Sequence, residues 1–312
     1  MKQSIYEQVS ERVIEALKGE TIPWIKTWSG EGAGGHAPLS LSTNKPYRGW
    51  NYFWLSMAQG LEGYESNKWG TYNQIKKRGG QVMKGQQSTS VIYWQRKIVC
   101  ACDNWYDANK PSCPKCAEPR DNGQMRFTIR EYKVFNIDQA EWDDGKKPKV
   151  FVPPPREVLD EEVADEALEV VNPYIESEGV TLSHGGDRAY YRPSNDSIRM
   201  PCAKNFVSGQ AYAVTLYHEC IHSTGHEDRL KRKSITEKNH FGSHEYSREE
   251  LVAEMGAQMM AVITGHQTET TIENAKAYCQ NWAEVIKNDE KMVIQAAQQA
   301  QKAVDYIMEC GE

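Results

Sequence analysis

The chain has 312 residues, of which 39% are hydrophobic and 26% are charged, and its formal net charge is −6. This composition is typical of a globular protein with enough length for two domains. No apolar run reaches the roughly 18 residues that a membrane span needs, so the sequence argues against a membrane partner. The first residues mix charges and lack an apolar segment, which predicts no signal peptide and a cytoplasmic protein. In that compartment the eight cysteines favour thiols or metal ligands over disulfides.

The two halves differ in charge and in aromatic content. Residues 1–150 carry 22 Lys+Arg and 16 Asp+Glu, whereas residues 151–312 carry 15 and 27. Eight of the nine tryptophans lie in the first half. Three consecutive prolines, Pro153–Pro155, indicate a stiff extended linker between two modules. We therefore predict a domain at 1–145, a Pro-rich linker at 146–157 and a second domain at 158–312.

In the first domain an apolar face predicts a helix over Tyr6–Leu17. The strand-like aromatic runs that follow predict a small α+β domain. Rings alternate with cations there, and single-stranded DNA binds such surfaces because bases stack on rings while cations contact phosphates. The alternative is that tryptophans such as Trp50 and Trp54 fill the core. The candidate DNA-binding residues are Trp24, Lys26, Trp28, Tyr47, Arg48, Trp50, Tyr52, Lys76, Lys77, Arg78 and Lys84.

A four-cysteine segment follows within the same domain. Cys100 and Cys102 form a C-x-C pair, and Cys113 and Cys116 form a C-x-x-C pair with ten residues between the pairs. Four thiolates with this spacing favour a closed, structural Zn²⁺ site. The alternative is a loop of reduced cysteines. We expect the segment to be a zinc-knuckle insertion at about 95–126.

The second domain begins with a predicted helix over residues 161–175. Residues 188–200 predict two strands joined by a turn at 194–196. Two amphipathic helices follow, at 209–225 with Gly225 closing its end and at 246–265, and residues 273–310 predict one or two long helices. These elements indicate a second α+β domain.

The first amphipathic helix contains the motif His218-Glu219-x-x-His222. Histidines four apart lie on one face of a helix and can bind one zinc ion together. The glutamate between them is then placed as the general base of a metallopeptidase, acting on an amide bond. A third protein ligand would leave one position open, as catalytic zinc sites require. Tyr190 or Tyr191 on the nearby strand is a candidate for stabilising an oxyanion, against core packing as the alternative.

The third ligand has more than one candidate. Glu250 and Glu254 lie four apart on the helix at 246–265, and the stretch "ELVAEMGA" resembles the E-x-x-x-(D/E) pattern of glutamate-type zincins. That resemblance implies that Glu250 binds the metal and that Glu254 hydrogen bonds a ligating histidine. The two roles are interchangeable at this stage, and Glu249 is the least favoured of the three carboxylates. Asp228, six residues after His222, is the rival ligand, because it resembles the last ligand of another zincin branch in position. His226 is interpreted as a structural or capping histidine, with a fourth metal ligand as the alternative.

Taken together, these motifs resemble those of ArdC-type antirestriction proteins. The resemblance covers nearly the whole chain and rests on "IPWIKTW", "NKPYRGWNYFWL", "KWGTYNQIKKRGGQVMKGQQST", "YKVFNIDQ", "RAYYRPSNDSIRMP", "HECIHSTGHEDRL" and "FGSHEYSREELVAEMGA". It implies an N-terminal single-stranded-DNA-binding domain and a C-terminal zincin-like metallopeptidase domain. It also implies zinc roles for His218 and His222 and a catalytic role for Glu219. The four-cysteine segment departs from the family pattern.

The resemblance implies a protein of a plasmid or phage that protects incoming DNA from restriction in the bacterial host cytoplasm. Two zinc ions, single-stranded DNA and a protein or peptide substrate are the expected ligands. One alternative is a DNA-binding protector whose metal site is silent or regulatory. Another is a DNA-associated metallopeptidase that acts in repair.

Overall fold

The structure is a computed structural model that describes residues 4–18, 37–149, 160–237, 243–266 and 282–310. It is a mixed α+β protein, as predicted. The chain forms two compact units, of which the first combines Met1–Lys68 with Pro148–Glu312 and the second comprises Trp69–Lys147. This grouping differs from the division at 145–158, which remains a prediction. The triple proline of the predicted linker lies outside the described residues.

The N-terminal part of the first unit is helical. Helix α1 (Ile5–Lys18) matches the predicted helix and buries Val9, Val13 and Leu17 on one face. A two-residue strand, β1 (Leu39–Ser40), precedes helix α2 (Trp50–Leu61). Apolar residues at helical spacing explain both helices, because each helix turns a continuous stripe of apolar side chains towards the core.

The second unit is mainly antiparallel sheet. Strands β2, β6, β4 and β5 lie in that order, and β3 pairs with β7. The long strands β4 and β6 pair over 11 residues, from Thr89↔Val134 to Val99↔Gln124. The elements are β2 (Lys68–Gly70), α3 (Tyr72–Lys77), β3 (Gly80–Val82), β4 (Thr89–Val99), β5 (Trp105–Asp107), β6 (Gln124–Asn136) and β7 (Ala140–Trp142).

The remainder of the first unit contains a small sheet and several helices. Strand β10 is parallel to β8 and antiparallel to β9, in the order β8-β10-β9. The elements are α4 (Asp160–Glu178), β8 (Thr181–His184), β9 (Tyr190–Arg192), β10 (Ser197–Met200), α5 (Gly209–Ser223), α6 (Lys233–Thr236), α7 (His244–Thr264), α8 (residues 282–288) and α9 (Met292–Glu309).

Several predicted elements of this region are present. The β9–β10 hairpin turns at residues 193–196, where Asp196 has a positive φ of 44°. Helices α5 and α7 match the two amphipathic helices. Gly225 follows α5, but Thr224 caps the helix with an ordinary helical φ of −60°. Position 225 favours glycine because there is no room for a side chain: a Cβ at Gly225 would lie 2.7 Å from the Ile235 side chain.

Helices α5, α7 and α9 form the centre of the first unit. α7 packs against both α5 and α9, α4 packs against α5, and α1 and α2 contact α9. Gly256 of α7 lies against Ile221 of α5, where a Cβ would come within 2.8 Å of the isoleucine side chain. This close crossing brings two polar helix faces together. Among the described residues, no helix combines the length and the apolar character that crossing a bilayer requires.

Candidate metal centre

Helix α5 holds the two histidines of the motif. The Ser208 side chain accepts a hydrogen bond from the Ala211 N–H and fixes the start of the helix. His218 and His222 lie one turn apart, and their Nε2 atoms are 3.1 Å from each other. The two rings therefore direct their Nε2 atoms towards the same point.

Helix α7 brings a carboxylate to that point. Glu250 Oε2 lies 3.6 Å from His218 Nε2, and Glu250 Oε1 lies 3.6 Å from His222 Nε2. Residues 253, 256 and 260 of α7 share a helical spacing and are small or apolar, so the helix can approach α5 closely at this level.

These three donor groups fit a metal ion. Ligands about 2.05 Å from a tetrahedral zinc ion stand about 3.3 Å apart. The observed separations of 3.1 Å and 3.6 Å bracket that value. Among the described residues, His218, His222 and Glu250 form one of the two groups whose ligand atoms converge in this way.

The rival ligand Asp228 is placed elsewhere. Its side chain is 81% exposed and lies 3.5 Å from Nδ1 of His226. Neither Asp228 nor His226 belongs to the converging group. Of the candidates weighed from the sequence, the geometry favours Glu250 as the third ligand.

The outer nitrogens of both histidines face carboxylates, which come from different positions of α7. Glu254 Oε2 lies 3.6 Å from His218 Nδ1, near the role predicted for it. His222 Nδ1 lies 3.2 Å from Glu249 Oε1 and donates a hydrogen bond when Nε2 binds a metal. Sequence reasoning missed Glu249 because it ranked that residue last of the three.

Arg232 holds Glu249 in place. Its guanidinium donates to Glu249 Oε1 at 2.6 Å and to the Ile221 carbonyl oxygen at 2.7 Å, and both side chains are buried. Burial raises the pKa of Glu249, but the charge of Arg232 and the hydrogen bond from His222 outweigh it and hold that pKa well below its usual range. A cation soon after the end of a metal-binding helix is the signal that could have identified Arg232.

The charges of the cluster suit a cation. Burial, the largest influence, lowers the pKa of His218, but the carboxylates of Glu250 and Glu254 outweigh it and hold this pKa well above its ordinary value. Burial likewise raises the pKa of Glu250, and the two histidines more than offset it, so the net shift is downward. In the absence of metal, the carboxylates thus stabilise a proton on His218, which a bound metal ion would replace.

Glu219 lies beside this cluster on α5. Its side chain is 7% exposed, and none of the described residues forms a hydrogen bond or an ion pair with its carboxylate. Its charge contributes to raising the pKa of His218. A buried carboxylate without such a partner is available to accept a proton, in contrast to Glu249.

Arg229 joins the end of α5 to the β9–β10 hairpin. It donates to the Ser223 carbonyl oxygen at 2.8 Å and to Asp196 Oδ2 at 2.9 Å, and its side chain is 1% exposed. The Tyr191 hydroxyl donates to Asp196 and accepts from Arg229, so it belongs to this structural network. Tyr190 is 38% exposed, and its hydroxyl accepts a hydrogen bond from Arg192.

The four cysteines of the second unit also converge. Cys100 Sγ lies 3.4 Å from Cys116 Sγ, and Cys102 Sγ lies 3.7 Å from Cys113 Sγ. Thiolates 2.3 Å from a tetrahedral zinc ion stand about 3.8 Å apart, so the arrangement fits the predicted site. This is the second converging group among the described residues.

Each cysteine pair is followed by a tight turn. Asp103 and Ala117 have φ values of 59° and 61°, directly after Cys102 and Cys116. Burial raises the pKa of Cys113, but hydrogen bonds from backbone N–H groups and from the Asn104 side chain outweigh it and lower the pKa to about 6. The backbone hydrogen bond at Glu118 lowers the pKa of Cys116, but hydrogen bonds with Cys102 and Cys100 outweigh it and raise that pKa to about 12. Metal binding would therefore require the release of protons from this group.

The predicted DNA-binding residues have mixed positions. Trp24, Lys26 and Trp28 lie outside the described residues. Trp50 requires a correction, because its ring is 2% exposed and stacks on Trp54 with 5.3 Å between centroids. It packs in the core, as the alternative interpretation has it.

The other DNA-binding candidates of the first unit are partly buried or paired with other side chains. Tyr47 and Tyr52 are half-buried, and burial raises the pKa of Tyr47 to about 12. Arg48 forms an ion pair with Asp305. In the second unit the basic candidates are all exposed, around the end of α3 and beyond β3: Lys76, Lys77, Arg78 and Lys84.

Comparison with known proteins identifies two domain types along the chain. Residues 3–135 match the family described as the N-terminal domain of anti-restriction factor ArdC. Residues 169–299 match the family described as a zincin-like metallopeptidase. The chain therefore combines an ArdC N-terminal domain with a zincin-like domain.

Similar proteins cover the chain almost completely. The uncharacterized protein y4eC of Sinorhizobium fredii is 31% identical over 97% of this chain and 91% of its own length. The crystal structure of the antirestriction protein ArdC from the R388 plasmid in its Mn(II)-bound form has a TM-score of 0.72 and 29% identity, and covers 99% of this chain and 98% of that one. A metal-free structure of the same ArdC also has a TM-score of 0.72. The chain belongs to the ArdC-type antirestriction proteins.

A further relative is much longer than this chain. A DNA primase TraC of Escherichia coli is 33% identical over 98% of this chain, but the chain spans only 20% of the primase. The ArdC-like segment thus also occurs within a larger protein. The zincin-like domain and the converging ligand atoms both suit the binding of a metal ion.

Proposed function

We propose that this protein protects the DNA of an incoming mobile element from restriction in the cytoplasm of a bacterial host. In this proposal it binds single-stranded DNA and carries a zinc-dependent peptidase site. The observation that carries the enzymatic part is the convergence of His218, His222 and Glu250 beside the Glu219 carboxylate, which has no hydrogen-bond or ion-pair partner among the described residues. A second zinc ion would hold the four cysteines together.

At the first site the three ligands would leave one coordination position open for water. A divalent metal bound there would polarise a carbonyl oxygen and lower the pKa of a coordinated water molecule. Glu219 accepts the proton of the attacking water and returns it to the leaving nitrogen of the amide. Glu249 and Glu254 keep the imidazoles oriented, and Arg232 keeps Glu249 charged.

The substrate would be an extended segment of protein. Strand β9 lies at the edge of its three-stranded sheet and contacts α5. An extended peptide can add to such an edge through backbone hydrogen bonds. The chemistry at the motif and this edge together favour a peptide over other amides.

The single-stranded-DNA part rests on the basic first half of the sequence and on its family. Lys76, Lys77, Arg78 and Lys84 are exposed cations, which suit the phosphates of a nucleic acid. ArdC of the R388 plasmid is an antirestriction protein, and TraC is a DNA primase. Both act in the context of DNA, which supports the same ligand here.

A Glu219→Gln variant tests the enzymatic part. It removes the base and keeps the shape of the side chain, and Glu227→Gln is a matched control because Glu227 is an exposed glutamate eight residues further on. Transfer of an unmodified plasmid into a restricting host measures protection. We expect Glu219→Gln to lose protection while it keeps its metal, and Glu227→Gln to keep both.

Full protection by Glu219→Gln would exclude the peptidase mechanism. DNA binding with a silent or regulatory metal site would then account for protection. Loss of protection together with loss of metal would indicate that Glu219 contributes to the structure of the site instead of to proton transfer.

A further inference from the structure

The second unit has a sheet face that no predicted site residue occupies. Strands β5, β4 and β6 are adjacent and antiparallel, so residues paired across them point to the same side. Val91 pairs with Tyr132, Tyr93 with Arg130, and Lys97 with both Arg126 and Asp107. Val99 pairs with Trp105. We call this the aromatic–basic face, and it comprises Tyr93, Lys97, Trp105, Arg126, Arg130 and Tyr132.

Three rings of this face are open to solvent. Tyr93 is 58% exposed, Trp105 54% and Tyr132 37%. Tyr93 and Tyr132 meet edge to face with 6.5 Å between centroids. Trp105 lies opposite Val99, about 20 Å along the strands from Tyr93 at roughly 3.3 Å per residue. The exposed pair of rings at Tyr93 and Tyr132 is the kind of grouped apolar surface that marks a binding site.

The same face is positively charged. Arg126, Arg130 and Lys97 lie between and beside the rings, and Asp107 is the one carboxylate among the paired strand residues of this face. The Lys97 ammonium lies 4.0 Å from Asp107. The charges of Arg126 and Arg130 therefore have no carboxylate partner among the paired strand residues of this face. The Arg130 guanidinium lies 5.2 Å from the centroid of the Tyr132 ring.

We propose that the aromatic–basic face binds single-stranded DNA, with Tyr93, Tyr132 and Trp105 stacking on bases and Arg126 and Arg130 contacting phosphates. Rings and cations on one flat, open strand surface are the combination that unpaired bases and their phosphates require. An apolar protein partner would match the rings but would leave the arginines without counter-charges. The inference rests on the proposed DNA-binding function and assigns it to residues that the sequence motifs did not indicate.

The four-cysteine site stabilises this surface from one end. Ile98 and Tyr106, which alternate with the exposed residues, are buried in one cluster with Cys100 and Cys113. The cysteine site therefore fixes β5 against β4 and sets the position of Trp105. In this proposal the zinc-knuckle insertion extends the binding surface.

The opposite face of the hairpin provides a matched control. Phe127 pairs with Arg96 and alternates with the residues of the aromatic–basic face, so it points to the other side. Its side chain is 61% exposed, about as open as Tyr93. Phe127→Ala removes an exposed ring and a similar area without changing the proposed surface.

The test measures binding of a fluorescent 20-nucleotide polythymidine to the full chain loaded with zinc. We expect Tyr93→Ala and Tyr132→Ala each to weaken binding by about fivefold to 150-fold, the usual range for a ring that stacks on a base. Tyr93→Phe and Phe127→Ala should bind as the parent chain does. Arg126→Gln should reduce the slope of log affinity against log salt by about 0.7.

The possible failures are distinguishable. If the parent chain does not bind polythymidine at all, the DNA-binding part of the proposed function fails and this inference fails with it. If the parent binds and Tyr93→Ala, Tyr132→Ala and Phe127→Ala all bind equally well, the proposed function stands and the aromatic–basic face is not the binding surface. Retained zinc content in each variant shows that the hairpin is folded.

Discussion

Neighbouring carboxylates of one helix have different partners at the candidate metal centre. Glu249 and Glu250 are adjacent in the chain, so their side chains leave α7 about 100° apart. Glu250 faces the inner nitrogens of both histidines, whereas Glu249 reaches the outer nitrogen of His222 and the guanidinium of Arg232. A carboxylate neutralised by a buried arginine can orient a histidine but has little capacity left for a metal ion.

Substitution of Glu250 should separate the two candidate third ligands. We expect Glu250→Gln to weaken binding of Zn²⁺ by at least tenfold, because one of three ligands loses its charge. Asp228→Asn should bind as the parent does, since Asp228 is 81% exposed and lies outside the cluster. Competition with a chromogenic chelator measures both affinities. The reverse result, weak binding by Asp228→Asn alone, would assign the ligand to the segment after α5.

At the scale of elements, Arg229 connects the metal-binding helix to the β9–β10 hairpin. Asp196→Asn removes the charge partner of an arginine that is 1% exposed, and an unpaired buried charge destabilises a fold by about 3 kcal/mol. Asp143→Asn is the control, since the Lys146–Asp143 pair is more than half exposed and contributes less than about 1 kcal/mol. Unfolding in guanidinium chloride at pH 7 compares the two variants.

The contribution of Asp196 should depend on pH. Burial raises its pKa, but hydrogen bonds from Arg229 and Tyr191 outweigh it and lower the pKa below that of the unfolded chain. The stabilisation is therefore complete above the unfolded pKa of about 3.9 and is lost as the pH falls through the lower folded value. The difference between parent and Asp196→Asn should shrink from pH 6 to pH 3, and a constant difference would contradict this account.

The sequence predicts single elements better than it predicts contacts between them. The periodic patterns of α5 and α7 and the turn before β10 are local, and each was predicted from its own residues. The hydrogen bond between His222 and Glu249 joins residues 27 apart and depends on how two helices cross. The identity of the exposed face of β4 and β6 likewise depends on their register, which no local pattern fixes.

At the scale of the whole molecule, composition and contacts divide the chain differently. The charge and tryptophan content change near residue 150, whereas α1 and α2 contact α9 and group with the C-terminal part. Trp50 and Trp54 stack on each other in α2 and are buried within that unit. An aromatic-rich segment can therefore pack in a core or bind a ligand, and the burial of its rings distinguishes the two cases.

We propose that two zinc ions bind this chain, one at each of the two converging groups. Anomalous X-ray scattering at the zinc edge from crystals of the full chain, grown with Zn²⁺, tests it most directly. We expect one peak among Nε2 of His218, Nε2 of His222 and the Glu250 carboxylate, and another among the four cysteine sulfurs. A first peak displaced to Asp228, or no peak at the two histidines after soaking with Zn²⁺, would contradict the account.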